Sequence, residues 1–307
     1  MSGDRQTEAS CLSNLAFVLF YRGRRAEGEP WLRKALATTH AIGARAQEAY
    51  VHSVTGELVE PFGDWGLAFQ EASAGHAIAR EIGHREWTVA TLATLGRLHR
   101  NCGDVAGARR LHEEMLAIAR DLRTTLWIAG AVGEMGQDLV AAGEAADGAR
   151  LLGEAVDLAG EAVQFAMRPL LALADLALQQ DRPGDALDLA RRIQQVAPQY
   201  ATLAADARRA EGEALMDLGR PADGETLLRQ AKAEALALDA GPAAWRACLA
   251  LARLHKAAGR TGEAAAERAE ARAWLERVAT QLADWPDLRR AFEGSEPFRA
   301  ARAGAPR

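Results

Sequence analysis

The segments TVATLATLGRLHRN (residues 88–101) and AGARRLHEEMLAIARDL (residues 106–122) decide the fold of this chain. Each places apolar residues three or four positions apart, which is the spacing of one face of an α-helix. Gly103 lies between them and can end the first helix in a left-handed backbone conformation at low cost. The two segments therefore predict a hairpin of two helices joined by a tight turn.

The same turn recurs along the chain. Glycine occupies it six times, at positions 40 residues apart within two runs: Gly23, Gly63, Gly103 and Gly143, then Gly219 and Gly259. Asp181 stands 38 residues after the first run and 38 residues before the second, in the turn sequence QQDRPG. Seven hairpins are therefore predicted. Because one hairpin cannot bury its apolar face alone, the hairpins should stack into an array.

Small residues recur at fixed distances from each turn. Seven residues before it the chain has Ala16, Gly56, Gly96, Gly136, Ala174, Gly212 and Ala252. Five residues after it the chain has Gly28, Ala68, Ala108, Gly148, Ala186, Gly224 and Ala264. A third column, twelve residues after the turn, is mostly small: Ala35, Gly75, Met115, Ala155, Ile193, Ala231 and Ala271. A glycine inside a helix costs roughly 0.5–1 kcal/mol relative to alanine, so these columns indicate crossings where helix backbones approach closely.

These columns resemble the tetratricopeptide repeat (TPR), which has a large residue and then Gly or Ala in its first helix, Gly at the turn and two Ala in its second helix. Five units carry the large–small pair: Leu15-Ala16, Leu95-Gly96, Met135-Gly136, Leu173-Ala174 and Leu251-Ala252. Pro198 matches the proline that closes the family's repeat. The spacing of 38–40 residues exceeds the about 34 of the common type. Long repeats of this kind resemble the helical-repeat regions of bacterial maltose-activator-type regulators and cyclase-linked signalling ATPases.

The resemblance implies an all-α fold, an α-solenoid of about seven TPR-like helical hairpins in a right-handed superhelix with a C-terminal capping helix. We expect a tail at residues 1–6, the repeat array at 7–282, and the capping helix with its tail at 283–307. The expected repeat units are 7–43, 44–83, 84–123, 124–163, 164–199, 200–240 and 241–282. The capping segment carries large apolar residues at helical spacing: Leu282, Trp285, Leu288, Phe292 and then Phe298.

Composition argues against several other classes of protein. The net charge of -5 leaves no basic excess to hold a phosphate backbone, so nucleic-acid binding is not expected. The apolar stretch at residues 15–21 is too short to span a membrane. Cys11, Cys102 and Cys248 lie too far apart for a CxxC metal pair. We expect a cytoplasmic protein whose core, with only 6% aromatic residues, depends on close contact between helices.

The first predicted helix, CLSNLAFVLFYRG (residues 11–23), is apolar on nearly all sides. The first helix of an array should be polar on its outer face, and an exposed apolar patch usually marks a partner surface. One interpretation is therefore self-association, such as a homodimer, or docking through Phe17, Val18, Phe20 and Tyr21. The alternative is that neighbouring side chains of the same chain cover these rings.

No sequence motif for catalysis is present, since GxxxxGK[ST], HExxH, GxSxG and GxGxxG are all absent. His99, Cys102 and His112 form the closest group of metal-binding residue types. A zinc site would require the two histidines to face each other, whereas such histidines are more often hydrogen-bonded core residues. We expect no catalytic residue, metal or cofactor, and an enzyme using His99 and His112 stays a remote alternative.

The resemblance implies that the first helices of the hairpins line a concave groove in which ligands lie. The family's groove columns project onto Asn14, Phe17, Glu57, Glu60, Arg97, Arg100, Asn101, Gln137, Asp175, Gln179, Glu213, Asp217, Arg253 and Lys256. Chaperone-binding members clamp a carboxylate with Lys and Asn at fixed groove columns. The columns that carry this clamp hold Phe17, Glu57, Arg97, Gln137, Asp175, Glu213 and Arg253 here. Because none of these is Asn, a chaperone-tail clamp is not expected.

Two acidic residues, Glu57 and Glu60, occupy the columns that hold Arg97 and Arg100 in the next unit. Opposite charges on stacked neighbours favour an ion-pair network between repeats, and each exposed pair of this kind contributes roughly 0–1 kcal/mol. The alternative is a recognition stripe for a charged peptide.

The repeat pattern favours a non-enzymatic protein-interaction scaffold that binds a peptide or protein partner in the concave groove. The alternative function is a regulatory or sensor module of a bacterial multidomain signalling or transcription regulator.

Overall fold

The computed structural model describes residues 2–196 and 199–303, and Pro198 lies outside these ranges. Within them the chain forms sixteen α-helices and one 3₁₀ turn at Glu60–Phe62, without a strand. The α-helices are α1 (Ser2–Tyr21), α2 (Arg25–Ala41), α3 (Arg45–Val59), α4 (Trp65–Glu81), α5 (Arg85–Asn101), α6 (Val105–Leu122), α7 (Thr125–Ala141), α8 (Ala145–Ala159), α9 (Val163–Gln179), α10 (Pro183–Val196), α11 (Ala201–Asp217), α12 (Pro221–Ala237), α13 (Gly241–Ala257), α14 (Thr261–Gln281), α15 (Pro286–Glu293) and α16 (Glu296–Arg302). None of these helices is both long and apolar enough to cross a membrane. The predicted all-α array of hairpins is confirmed.

The turns between paired helices explain why each hairpin forms. Gly103 has a φ of 89°, in the left-handed region that favours glycine. Asp104 then caps α6, because its side chain accepts a hydrogen bond from the Gly107 amide at 2.9 Å. Asp181 has a φ of 58°, so it adopts the same left-handed conformation as the glycines of the other turns. Aspartate tolerates this region better than most residues.

The small columns lie where the two helices of a hairpin cross. A Cβ atom added to Gly96 would lie 2.2 Å from the His112 ring on the paired helix. A Cβ atom added to Gly136 would lie 3.0 Å from the backbone nitrogen of Leu152. Both distances are too short for an ordinary contact, so the glycines allow a close approach that alanine would obstruct.

The two ends of the array meet, which the sequence did not predict. Trp65, at the start of α4, packs its ring 5.7 Å from Trp245 of α13 and 4.9 Å from Phe292 of α15. Phe69 stacks at 5.1 Å on Trp285, which directly precedes α15. These rings belong to one core cluster that joins the first two hairpins to the last two.

Backbone contacts accompany the aromatic contacts of this closure. Gly66 of α4 lies so close to the end of α14 that an added Cβ atom would come within 2.6 Å of the Gln281 carbonyl oxygen. The backbone of Gly23, in the first turn, lies against the side chain of Leu238, which an added Cβ atom would approach to 2.2 Å. The accessible surface of the chain is 13736 Å², close to the about 12,500 Å² expected for a globular protein of this mass. The superhelix is therefore closed on itself.

Three details of the expected organisation differ from the structure. Residues 2–6, expected to be a tail, belong to α1. The capping segment forms two short helices, α15 and α16, instead of one. Phe292 and Trp285 of this segment reach the second hairpin as well as the last one. The cap therefore joins the two ends of the array, whereas the sequence indicated only a cover for the final repeat.

The rings of the first helix are largely covered by the chain itself. Phe20 is 2% exposed and packs edge-on against Phe62 at 5.8 Å. Tyr21 packs edge-on at 4.5 Å against Tyr200, which directly precedes α11, and Phe17 packs against Tyr21. Val18 alone of the four expected patch residues is exposed, at 47%. Of the two interpretations of the first helix, the structure agrees with the second, in which neighbouring side chains of the same chain cover the rings, because closure of the array brings the start of α11 against the end of α1.

Candidate ligand-binding chamber

Closure of the array turns the middle of its concave face into a partly enclosed space between the first helices of the hairpins. Cavity A measures about 260 Å³ and lies among α1, α5, α7 and α9. Cavity B measures about 300 Å³ and lies among α3, α9, α11 and α13. Five residues line both cavities: Tyr21, Glu57, Gln137, Gln164 and Arg168. We call the two adjoining cavities the chamber.

Most of the predicted groove residues lie on this concave face. Eight of the fourteen line the chamber: Phe17, Glu57, Glu60, Arg97, Arg100, Asn101, Gln137 and Asp175. A third, more open cavity of about 550 Å³ lies beside it and is lined by Gln179, Glu213, Arg253 and Lys256. Asn14 and Asp217 line none of the three; Asn14 accepts a hydrogen bond from Tyr50, and Asp217 pairs with Arg253.

The charges of the central groove columns are paired with one another across three repeats. Glu134 of α7 is 5% exposed and accepts hydrogen bonds from Arg97 at 3.2 Å and Arg100 at 2.7 Å. Arg100 also donates to Asp138 at 2.9 Å. A buried carboxylate with two guanidinium partners is a structural element of the wall. This arrangement is the inter-repeat ion-pair network. Arg97 and Arg100 are largely buried within it and therefore do not form an exposed stripe that could recognise a charged peptide.

A second buried carboxylate continues the network towards α9. Glu60 lies 3.6 Å from the Arg97 Nε atom and accepts hydrogen bonds from Arg168 and Asn101, both at 2.9 Å. Arg168 thus connects the second hairpin to the fifth, across the concave face. The network holds opposite walls of the chamber together.

The network shifts the acid–base properties of its members. Burial alone would raise the pKa of the Glu134 carboxyl group, but Arg100 and Arg97 outweigh this effect and lower the pKa to about 2. Arg168 and Arg97 likewise lower the pKa of Glu60 against the effect of burial. Both groups are therefore ionised at neutral pH, and their ion pairs stabilise the folded chain.

Aromatic residues are concentrated around the chamber, although the chain has few of them. The sequence contains seven Trp, three Tyr and seven Phe. Eight of these line the chamber: Phe17, Tyr21, Trp65, Trp127, Phe165, Tyr200, Trp245 and Phe292. The walls thus combine apolar rings with a few polar groups, which is the usual composition of a ligand-binding site.

Glu57 differs from the other acidic residues of the chamber. Four of the five that line it form ion pairs with arginines: Glu60, Glu134, Asp175 and Asp206. Within the described residues Glu57 has no cation within 4 Å, and its one hydrogen bond comes from the Tyr21 hydroxyl at 3.2 Å. The second carboxylate oxygen of Glu57 accepts no hydrogen bond within the described residues.

Glu57 also influences the tyrosines around it. Burial and the charge of Glu57 raise the pKa of Tyr21 well above its usual value. The same two causes raise the pKa of Tyr50 and of Tyr200. All three tyrosines of the chain therefore lie near one carboxylate and stay neutral at physiological pH.

Sequence reasoning missed several residues that line the chamber, including Arg168, Gly130 and Ala90. Each stands seven residues, or two helical turns, before a predicted groove residue of the same helix. Residues seven apart share a helix face. The same reasoning applied seven residues before each predicted groove residue would therefore have identified these three lining residues. Trp127 and Phe165 each stand sixteen residues before the turn of their repeat, as Trp87 does, so an aromatic column in three successive repeats would have indicated them. Gln164 carries no comparable repeat signal.

The histidines considered for metal binding or catalysis are hydrogen-bonded structural residues. His112 is fully buried between Asp138, at 2.5 Å, and the Ala93 carbonyl oxygen, at 3.4 Å. His99 pairs with Asp104 at 2.8 Å. The two histidines therefore bind different partners. His112 is also shielded from any substrate, which contradicts a catalytic role for this residue.

Two other groups of side chains in the described part of the chain have spacings that suit a metal ion. One consists of Cys248, Glu267 and Glu270, but the Lys232 ammonium group binds both carboxylates at 2.8 and 2.7 Å. The other consists of Glu225, His255 and Glu263, where Arg260 binds Glu225 at 2.6 Å. In both groups a cationic side chain already neutralises the carboxylates.

Comparison with known proteins agrees with this architecture. The tetratricopeptide repeat family model matches residues 9–42 and 88–122. The apo form of RapI shares the fold with a TM-score of 0.58 at 14% identity, covering 94% of this chain and 100% of RapI. A kinesin light chain of Podosopora anserina with nearly identical TPR-like repeats gives a TM-score of 0.42 at 18% identity, covering 65% of this chain and 97% of that chain. No curated protein matches the sequence.

Proposed function

We propose that this chain, a helical repeat protein of the tetratricopeptide superfamily, is an interaction scaffold that holds a short, extended peptide segment of a partner protein in its chamber. The observation that carries the proposal is the pair of adjoining cavities in the middle of the concave face, lined by eight aromatic residues. Ligand sites in proteins typically have volumes of about 300–1,000 Å³ and mostly apolar walls with a few polar groups.

The shape of the chamber favours an extended ligand. The space is divided into two adjoining cavities that share five lining residues. Side chains of an extended segment project alternately to opposite sides. An extended segment can therefore lie along both cavities and place successive side chains in them.

Polar groups at the junction of the two cavities suit a peptide main chain. Gln164 is exposed on the wall and has no hydrogen bond within the described residues. Arg168 lines both cavities and uses Nη2 to bind Glu60, while its other N–H groups form no hydrogen bond within the described residues. Amide and guanidinium groups donate hydrogen bonds to carbonyl oxygens, so these residues can bind the backbone of a ligand without regard to its side chains.

Filling cavity A should abolish peptide binding. Gly130 lines this cavity, and an added Cβ atom would make only ordinary contacts, at 3.5 Å with Phe165 and 3.7 Å with Met115. Gly130→Leu therefore occupies the cavity without a backbone clash. Gly153→Leu is the matched control, because an added Cβ atom there has no neighbour within 4 Å.

The measurement is the binding of peptides selected on the wild-type protein from a random displayed library. We expect the selected peptides to bind Gly153→Leu like wild type and to lose most of their affinity for Gly130→Leu. Equal binding to all three proteins would place the site outside the chamber and contradict the proposal. A library that yields no binding peptide would contradict it as well.

A further inference from the structure

We propose that Glu57 and the aromatic rings beside it form a subsite for the ammonium group of a lysine side chain in the bound peptide. This inference rests on the proposed function and specifies the chemistry of the ligand. Glu57 lines both cavities, and it alone among the five chamber acids lacks an ion pair within the described residues.

Charge complementarity indicates a cationic ligand at this point. The four other acidic residues of the chamber are neutralised by arginines of the same chain. The arginines that line it, among them Arg97, Arg100 and Arg168, are engaged in those pairs. The charge left without a partner is the carboxylate of Glu57, and a partly buried carboxylate gains most from a cation.

The geometry favours an ammonium group over a guanidinium group. The Tyr21 hydroxyl already binds one carboxylate oxygen of Glu57 at 3.2 Å, which leaves a single oxygen for a ligand. A guanidinium group binds best when both carboxylate oxygens are available, whereas an ammonium group is a point charge that needs only one.

The aromatic rings next to Glu57 suit the alkyl stem of a lysine. Phe17, Tyr21 and Tyr200 form a continuous row, with ring centroids 4.4 and 4.5 Å apart. Lysine buries its methylene groups against apolar surfaces while its charged end reaches a polar partner. Aromatic rings near the ammonium group add a cation–π attraction.

The position of Glu57 favours a side chain over the free amino terminus of a ligand. Glu57 lies where the two cavities meet rather than at the end of either. A terminal ammonium group bound there would leave one cavity empty, while a lysine in the middle of the segment allows residues on both sides to occupy the chamber.

The test uses synthetic hexapeptide sub-libraries that are acetylated at the N-terminus and amidated at the C-terminus. One central position is Lys, Nε-acetyl-lysine, Arg or Met, and uncharged residues vary elsewhere. A further Met sub-library keeps its free amino terminus. Binding is measured by fluorescence for wild type and for Glu57→Gln. Glu86→Gln is the matched control, since Glu86 is exposed and has no ion pair within the described residues.

We expect wild type and Glu86→Gln to bind the Lys sub-library about tenfold more tightly than the acetyl-lysine, Arg and Met sub-libraries. Glu57→Gln should lose this preference but still bind the neutral sub-libraries. The inference is overturned if wild type shows no lysine preference, if Glu57→Gln retains it, or if the Met sub-library with a free amino terminus binds as tightly as the Lys sub-library. Failure of every sub-library to bind wild type would contradict the proposed function itself.

Discussion

Replacing Trp65 with alanine should lower the free energy of unfolding by about 3–5 kcal/mol. Trp65 is 2% exposed, and its ring contacts Trp245 and Phe292 from the other end of the array. Its indole N–H also donates to the Glu60 carbonyl oxygen at 3.2 Å. The substitution removes the largest fully buried side chain of the closure and leaves a cavity that helices from both ends cannot refill.

The measurement is urea denaturation followed by circular dichroism, with Trp31→Ala as the control. Trp31 is 36% exposed, so its removal should cost much less than that of Trp65. Similar losses for the two variants would mean that Trp65 is no more buried than Trp31 in solution. That result would contradict the closed array.

Replacing Glu134 with glutamine should destabilise the protein by about 3–5 kcal/mol at neutral pH, because Arg97 and Arg100 would stay buried without their shared counter-charge. The pKa of about 2 for Glu134, against 4.5 ordinarily, gives a similar figure of about 3 kcal/mol. Glu113→Gln is the control, since Glu113 pairs with Arg109 on the surface and is 53% exposed there. Its loss should cost at most about 1 kcal/mol.

The stabilisation that Glu134 provides should depend on pH, and the direction follows from its lowered pKa. A carboxyl group whose pKa is lowered by folding stabilises the protein fully above its unfolded pKa, and the contribution is lost as pH falls through the folded pKa. For Glu134 the loss runs from about pH 4.5 down to about pH 2. The difference in unfolding free energy between wild type and Glu134→Gln should therefore be smaller at pH 3 than at pH 7. A difference that is negligible at pH 7, or the same at both pH values, would contradict the network.

The hairpins could be predicted from sequence because they depend on local chemistry. Gly103 and Asp181 both adopt left-handed conformations at the turns, as their place in the 38–40-residue spacing indicated. Gly96 lies against His112 because a helix crossing needs a residue without a side chain there. Each of these features involves residues within one repeat. The same pattern of turn and small residues recurs in seven repeats, which makes it easy to recognise in the sequence.

Closure of the array could not be predicted in the same way. The contact between Trp65 and Trp245 depends on how far each hairpin rotates relative to the previous one, and small rotations accumulate over five repeats. No recurring residue position in the repeat indicates the size of this rotation. Two interpretations of the apolar first helix stayed open for the same reason, because the partner of Tyr21 is Tyr200, a residue directly before α11 that only closure brings near.

The candidate site was predicted in part. The groove columns included Glu57 and Gln137, and extension of the columns by two turns would have added Arg168. The distinction between paired and unpaired charges required the structure, since Glu57 and Glu60 looked equivalent in the sequence. Arg168, 108 residues away from Glu60, neutralises Glu60 but forms no ion pair with Glu57.

The central claim is that the two ends of the array meet and enclose the chamber. The most direct test is the distance between spin labels on Gln70→Cys of α4 and Thr280→Cys of α14, both exposed positions near the contact of Gly66 with Gln281. The exposed Cys11 is replaced with serine for this experiment. Electron paramagnetic resonance should give one short, narrow distance distribution for the closed array. A distance on the order of 50 Å, as five stacked hairpins at 8–10 Å spacing would give in an open superhelix, would contradict it.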